Sequence, residues 1–207
     1  MASSPWPLIH AERKALAEDL RQLAESQWAT QSLCSDWTIR DALAHMTATA
    51  KMTPPRFFGK FMASGFRFDA MSAKDVAAER GSSGADALAR FTAMLDATTH
   101  PPGPVEAMVG EAVVHSEDIR RPLGIHHRYS DEALTRTADF YRSSNLLIGA
   151  KRRADGLTLR ADDVAWTAGS GPEVIGPLAS IILAITGRRV GLDDLSGDGL
   201  ATLRGRA

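Results

Sequence analysis

Glu111, His115 and Asp118 are the residues whose types and spacing lend themselves most directly to chemistry. They fall in Gly110-Glu111-Ala112-Val113-Val114-His115-Ser116-Glu117-Asp118-Ile119-Arg120, which reads as the middle of a helix over residues 104–121. At about 100° per residue, Glu111 and His115 lie about 40° apart on one face, and Asp118 about 20° back from Glu111. A carboxylate, an imidazole and a second carboxylate thus line up over two turns. Such a stripe can ligate a divalent metal if another helix supplies a further donor. The best-placed donor is His45, in Asp41-Ala42-Leu43-Ala44-His45-Met46, inside an otherwise apolar helical run. Two imidazoles and one carboxylate suit zinc and admit nickel, iron or manganese. Three protein ligands leave a position open for water or substrate. Asp118 is placed to accept the second ring N–H of His115 and so orient it. The competing reading is a buried, hydrogen-bonded cluster without metal; a lone histidine on an apolar face is more often hydrogen-bonded than metallated.

Several elements must position these residues. Leu8, Ala11, Ala15, Leu16, Leu20 and Leu23 recur at helical spacing over residues 5–28. Thr38 followed by Asp41 resembles a capping box that opens the helix of His45. Pro54-Pro55 breaks or kinks that helix. Residues 56–68 are rich in phenylalanine, with Arg56, Lys60 and Arg67 among the rings. They read as a packing segment or as an apolar pocket wall whose cations can hold a substrate carboxylate. A helix starts at Asp86 and ends before His100-Pro101-Pro102-Gly103-Pro104. Another runs over residues 131–151, capped by Ser130 or Asp131, and contains Leu134, Ala138, Tyr141, Leu146 and Leu147. Beyond it the pattern changes. Leu157-Thr158-Leu159-Arg160 and Val164-Ala165-Trp166-Thr167 alternate about Asp162-Asp163, as a β-hairpin does. Residues 173–186 read as an apolar helix closed by Gly187, and Leu203 lies in a last strand or tail. A helical domain over residues 1–150 followed by a small α+β domain over 151–207 is expected. His10 reads as a surface or core-edge residue, His100 as a loop residue, and the adjacent pair His126-His127 as a poor chelate.

The totals exclude other classes. With 207 residues, 44% hydrophobic and 24% charged, the chain has ample material for a core. A net charge of −1 gives no reason to expect nucleic acid or an anionic membrane as partner. Cys34 is the only cysteine, so neither an intrachain disulfide framework nor a thiolate cluster is available. A cytoplasmic setting fits best. No apolar run approaches the roughly 18 residues of a membrane span, and the start lacks the layout of a signal peptide. Gly169-Ser170-Gly171-Pro172 lacks the Lys-Ser/Thr of a phosphate loop.

Taken as a pattern, the chain resembles the mycothiol-dependent maleylpyruvate isomerase family, part of the DinB-like metal-binding four-helix bundles. The carriers are Asp36-Trp37-Thr38-Ile39-Arg40-Asp41-Ala42-Leu43-Ala44-His45-Met46 and Gly110-Glu111-Ala112-Val113-Val114-His115-Ser116-Glu117-Asp118-Ile119-Arg120-Arg121-Pro122-Leu123-Gly124. In the C-terminal part, Asp163-Val164-Ala165-Trp166-Thr167-Ala168-Gly169-Ser170-Gly171-Pro172, Gly176-Pro177 and Thr186-Gly187-Arg188 resemble that family's small, sterol-carrier-like domain. The resemblance implies a mainly α fold: an up-down four-helix bundle followed by a small α+β domain. It implies His45, Glu111 and His115 as ligands of a divalent metal, usually zinc, with mycothiol as cosubstrate. The implied chemistry is addition of a metal-activated low-molecular-weight thiol to an electrophile, by a thiol transferase or a cis–trans isomerase. The alternatives are a non-catalytic metal- or apolar-ligand-binding protein, or a regulatory partner that uses metal for stability. Bundles of this kind often form homodimers.

Overall fold

The computed structural model describes residues 3–145 and 148–207. Its contacts divide the chain into two compact units, Met1–Arg128 and Tyr129–Ala207. Among the described residues no helix is long and apolar enough to cross a membrane.

The first unit is built on four helices: α1 (Trp6–Leu20), α2 (Ile39–Ala50), α5 (Gly84–Thr92) and α6 (Glu106–Arg120). Each packs against two of the others, α1 on α6 and α5, α2 on α5 and α6, which closes a four-helix bundle. All four contribute to one core: Leu16, Ala17 and Leu20 from α1, Ile39, Leu43 and Met46 from α2, Ala87 and Phe91 from α5, and Ile119 from α6. Outside this ring, α4 (Phe68–Glu79) packs on α2, and α3 (Pro54–Ala63) packs on α4.

Helix α2 starts where its cap residues demand. Asp41 N donates to Thr38 Oγ1 at 3.3 Å and Thr38 N donates to Asp41 Oδ2 at 3.0 Å, satisfying two otherwise orphaned amides. Helix α1 stops earlier than its periodicity suggests. The chain turns after Leu20 and re-forms as a short 3-10 segment, Glu25–Ala29. This turn drives Trp28 into the core, 4% exposed, against Gly84. A Cβ on Gly84 would sit 2.1 Å from Trp28 Cδ1, so only glycine admits the indole there. Helix α3 buries none of its residues; Phe58 and Met62 on it, and Phe66 and Phe68 just after it, are exposed.

The second unit opens with α7 (Asp131–Ser143), capped by Ser130, whose Oγ accepts from Ala133 N at 3.2 Å. Leu146 and Leu147, which periodicity assigns to this helix, lie outside the described residues. A short α8 (Ala150–Ala154) follows. Helix α7 packs on α9 (Leu178–Ile185) of the same unit. The contact-based division and the sequence-based boundary near residue 150 therefore assign α7 differently. The sheet has the order β2-β1-β3, with β1 (Thr158–Ala161) antiparallel to β2 (Thr167–Gly169) and parallel to β3 (Glu173–Gly176).

Three local expectations are corrected. The second hairpin strand starts at Thr167 rather than Val164. Residues 162–166 are consumed in the connection, where Trp166 N bonds to Val164 O and the indole Nε1 donates to Asp139 Oδ1 at 3.1 Å. Residues 173–186 are a strand and a helix, split at Pro177. Val174 pairs with Leu159 in the sheet, and Asp163 Oδ1 then accepts the Leu178 amide at the start of α9. Leu203 lies on a short helix, α10 (Leu200–Arg204), fully buried, rather than on a strand or tail. Helix α9 is apolar all round, which suits a helix covered on every side; seven of its eight residues are buried.

Candidate metal centre

Capping at Thr38 sets the phase of α2 and places His45 nearly two turns into it, facing α6. On α6, Glu111 and His115 share a face, as the helical repeat requires. The three side chains converge. His45 Nε2 lies 3.5 Å from Glu111 Oε1, and His115 Nε2 lies 3.4 Å from Glu111 Oε2. One donor atom from each residue falls within 4.8 Å of the others. All three are half-buried in an otherwise buried stretch of α2 and α6.

These separations bear on what the cluster is. A charge-assisted N–H···O bond spans about 2.7–2.9 Å, shorter than either contact. Four donors held tetrahedrally at about 2.0–2.2 Å from zinc are separated by roughly 3.3–3.6 Å. Glu111 Oε1 is buried and makes no hydrogen bond among the described residues. An orphaned carboxylate oxygen beside two imidazole nitrogens is a poor hydrogen-bond cluster and a good cation cradle. With one atom taken from each residue the donors lie within 4.8 Å of one another, so the set is a possible geometry for holding a divalent metal.

The electrostatics agree. Burial pushes the Glu111 carboxyl up, but the imidazoles of His115 and His45, with Arg13 behind them, outweigh it and bring the carboxyl to about 2. Burial pushes His115 down, but Glu111, the hydrogen bonds to Asp118 and Cys34, and the Asp118 charge raise it to about 10. The carboxylates of Glu111 and Asp118 thus favour positive charge at His115. Arg13 itself is buried, its Nη1 donating to Ala97 O at 2.9 Å.

Asp118 is fully buried, and its Oδ2 lies 2.8 Å from His115 Nδ1. This is the contact by which a carboxylate fixes an imidazole with its proton on Nδ1 and its lone pair on Nε2. Trp37 lies over both rings, its centroid 4.7 Å from that of His45 and 6.3 Å from that of His115. Two of the three cations of residues 56–68 have partners of their own. Arg56 Nη1 donates to Lys51 O at 3.0 Å, Lys60 pairs with Asp75, and Arg67 is exposed at the start of α4. His127 is held by Glu12, at 2.9 Å. Sequence reasoning missed Cys34, which it read only as the lone cysteine, and Trp37. The thiol donates to Asp118 Oδ2 at 3.1 Å. The only sequence signal was that both residues precede the His45 helix.

Fold and side chains together define a class: a four-helix bundle carrying an imidazole–carboxylate–imidazole donor set between two of its helices, followed by a small α+β unit. Residues 9–100 match the family model described as the mycothiol maleylpyruvate isomerase N-terminal domain. Two solved structures have the same fold. One is a histidine-to-alanine mutant of the mycothiol-dependent maleylpyruvate isomerase, with a TM-score of 0.64, 16% identity, and coverage of 93% of this chain and 91% of that one. The other is the mycothiol-dependent maleylpyruvate isomerase, with a TM-score of 0.56 and 15% identity over the same shares. No curated protein matches the chain.

Proposed function

We propose that the chain is a metal-dependent thiol enzyme. His45, Glu111 and His115 hold a divalent cation, zinc by preference, and a low-molecular-weight thiol of the mycothiol type is the cosubstrate. The observation that carries this reading is the convergence of three donors, one atom from each within 4.8 Å of the others, with Glu111 Oε1 buried and without a hydrogen bond among the described residues. The match of residues 9–100 to the mycothiol maleylpyruvate isomerase N-terminal domain supports the choice of thiol. A cation bound here would supply a lowered thiol pKa and hence thiolate at neutral pH. The chain's own residues do the rest. Asp118 holds the proton on Nδ1 of His115, so that Nε2 presents a lone pair. Glu111 contributes the one negative charge among the three donors. Trp37 covers the two rings and limits water on that side. The reaction class is addition of the thiol to an electrophile, ending either as a thioether, in an S-transferase, or, in a cis–trans isomerase, in rotation about the bond that addition has made single, followed by elimination that returns the thiol and restores the double bond. A cytoplasmic setting, which keeps such thiols reduced, goes with this reading.

The test is elemental analysis of protein purified without an affinity tag, repeated on His115→Ala. About one equivalent of zinc in the parent and its loss in the variant, with helical content kept, is the expected result. Thiol consumption against a panel of electrophiles then reports turnover. Protein that is metal-free when refolded with zinc, or a variant that retains its metal, refutes the assignment. The aromatic α3 offers an apolar-ligand reading less support. Phe57 stacks on Phe61 at 5.8 Å and Phe61 meets Phe66 edge-on at 5.5 Å, while Phe58 and Phe66 remain turned to solvent.

A further inference from the structure

Cys34 sits in the segment between the first 3-10 turn and α2, and that segment is fixed from several directions. Leu33 N donates to the Asp118 main-chain carbonyl at 3.0 Å, tying it to α6. Cys34 N donates to Ser32 Oγ at 3.1 Å. The Cys34 carbonyl accepts from Gln31 Nε2 at 2.8 Å and from Trp37 N at 3.0 Å. The thiol is thereby held against Asp118, with Sγ 3.1 Å from Oδ2 and 4.0 Å from His115 Nδ1. The oxygen that accepts from Cys34 is the same Oδ2 that takes the His115 ring N–H at 2.8 Å.

We infer that Cys34 is a positioning residue that sets the metal affinity of the centre by competing with His115 for Asp118 Oδ2. This rests on the metal reading above. A carboxylate that accepts an imidazole N–H makes the opposite ring nitrogen a better donor to a cation. A second donor on the same oxygen draws off part of that negative charge, and a thiol is a weak donor that draws off little. The cysteine therefore moderates the pull of Asp118 on His115, whereas a hydroxyl would reduce it further and an aliphatic side chain would release it. The thiol serves here as a hydrogen-bond donor one residue removed from the cation, and not as a ligand.

The test is competition titration of zinc, and separately of cobalt(II), into metal-free full-length protein: the parent, Cys34→Ala, Cys34→Ser and Asp118→Asn. Loss of an outer partner of this kind typically costs about 10–100-fold in metal affinity, and Asp118→Asn is expected to weaken binding by that much. Cys34→Ala is expected to bind about 3- to 10-fold tighter and Cys34→Ser to bind more weakly than the parent, smaller changes than outright loss of the partner. A purely structural role would weaken both cysteine variants together, because both disturb the same packed segment. Changes in one direction for both, or no change in either, overturn the inference while leaving the metal centre standing. So does a thiolate-to-cobalt charge-transfer band in the parent that Cys34→Ala abolishes, since the thiol would then be a ligand. A parent protein that binds neither ion overturns this inference and the metal reading alike. Thermal melts of the metal-free variants report whether each is folded, and the Ala and Ser variants back each other up if one is not.

Discussion

Raising pH across the neutral-to-alkaline range should destabilise the metal-free protein, and loading it with zinc should abolish that loss. The cause is His115. Its imidazolium lies between Glu111 and Asp118, which raise it from 6.5 to about 10. A group whose pKa is higher when folded stabilises the folded state fully below its unfolded pKa, and that contribution disappears as pH climbs through the folded one. The relevant window is therefore about pH 6.5 to 10. At about 1.36 kcal/mol per tenfold change, the contribution is at most ~5 kcal/mol. Glu111 shows the other side of the same attraction, so its value of about 2 is not a second, additive gain. Its share is present above about 4.5 and fades as pH falls toward 2. The metal-free protein is therefore expected to gain most from this pair between about pH 4.5 and 6.5. A metal at Nε2 displaces the proton, so loading near pH 7 should release about one proton. Urea denaturation at a series of pH values, on metal-free parent and His115→Gln, measures the first effect. Calorimetric zinc titration in buffers of different ionisation enthalpy measures the second. Parent and variant with parallel stability profiles from pH 6.5 to 10, or zinc binding without proton release, would refute the reasoning.

Other outcomes follow from single contacts. Glu111→Gln keeps the shape but removes the only negative charge among the three donors, and it should lose more metal affinity than the 10–100-fold expected for an outer partner, read by zinc competition. Because Trp37 lies over both imidazoles, zinc should alter tryptophan fluorescence in the parent and much less in Trp37→Phe. Gly84→Ala drives a methyl to 2.1 Å from the Trp28 ring; overpacking of this kind costs about 1–3 kcal/mol, seen as a lowered urea midpoint. Trp166→Phe removes the bond to Asp139 in the second unit and should cost about 1 kcal/mol while leaving zinc content unchanged.

What the sequence revealed and what it hid divide along physical lines. Thr38 with Asp41, Ser130 at the start of α7, and Glu111 with His115 are local patterns: each involves residues within one helical turn or so, and backbone geometry alone brings them together. The partnership of His45 with them depended on two distant helices meeting, which chemistry of type suggested and only packing brings about. The strand Glu173–Gly176 was hidden because Val174 and Ile175 run, across one proline, into the apolar stretch of α9. Periodicity cannot distinguish a short buried strand from a buried helix there. Its register against Leu159 is a tertiary fact. Trp166 left the alternating pattern because its indole found Asp139, and Trp28 left α1 because Gly84 made room for it. Cys34 is the clearest case. It meets Asp118, 84 residues on, from a segment with no regular period, and its place before the His45 helix does not by itself mark the encounter.

The donors come from helices far apart in the chain, and every one of them lies within the first compact unit. A cation that binds only the folded arrangement adds RT ln(1 + [M]/Kd) to its stability, and the unfolded chain has no comparable cradle. If the centre holds zinc, supply of the ion sets how much of this polypeptide survives proteolysis, so that scarcity would thin the population before it slowed any individual molecule.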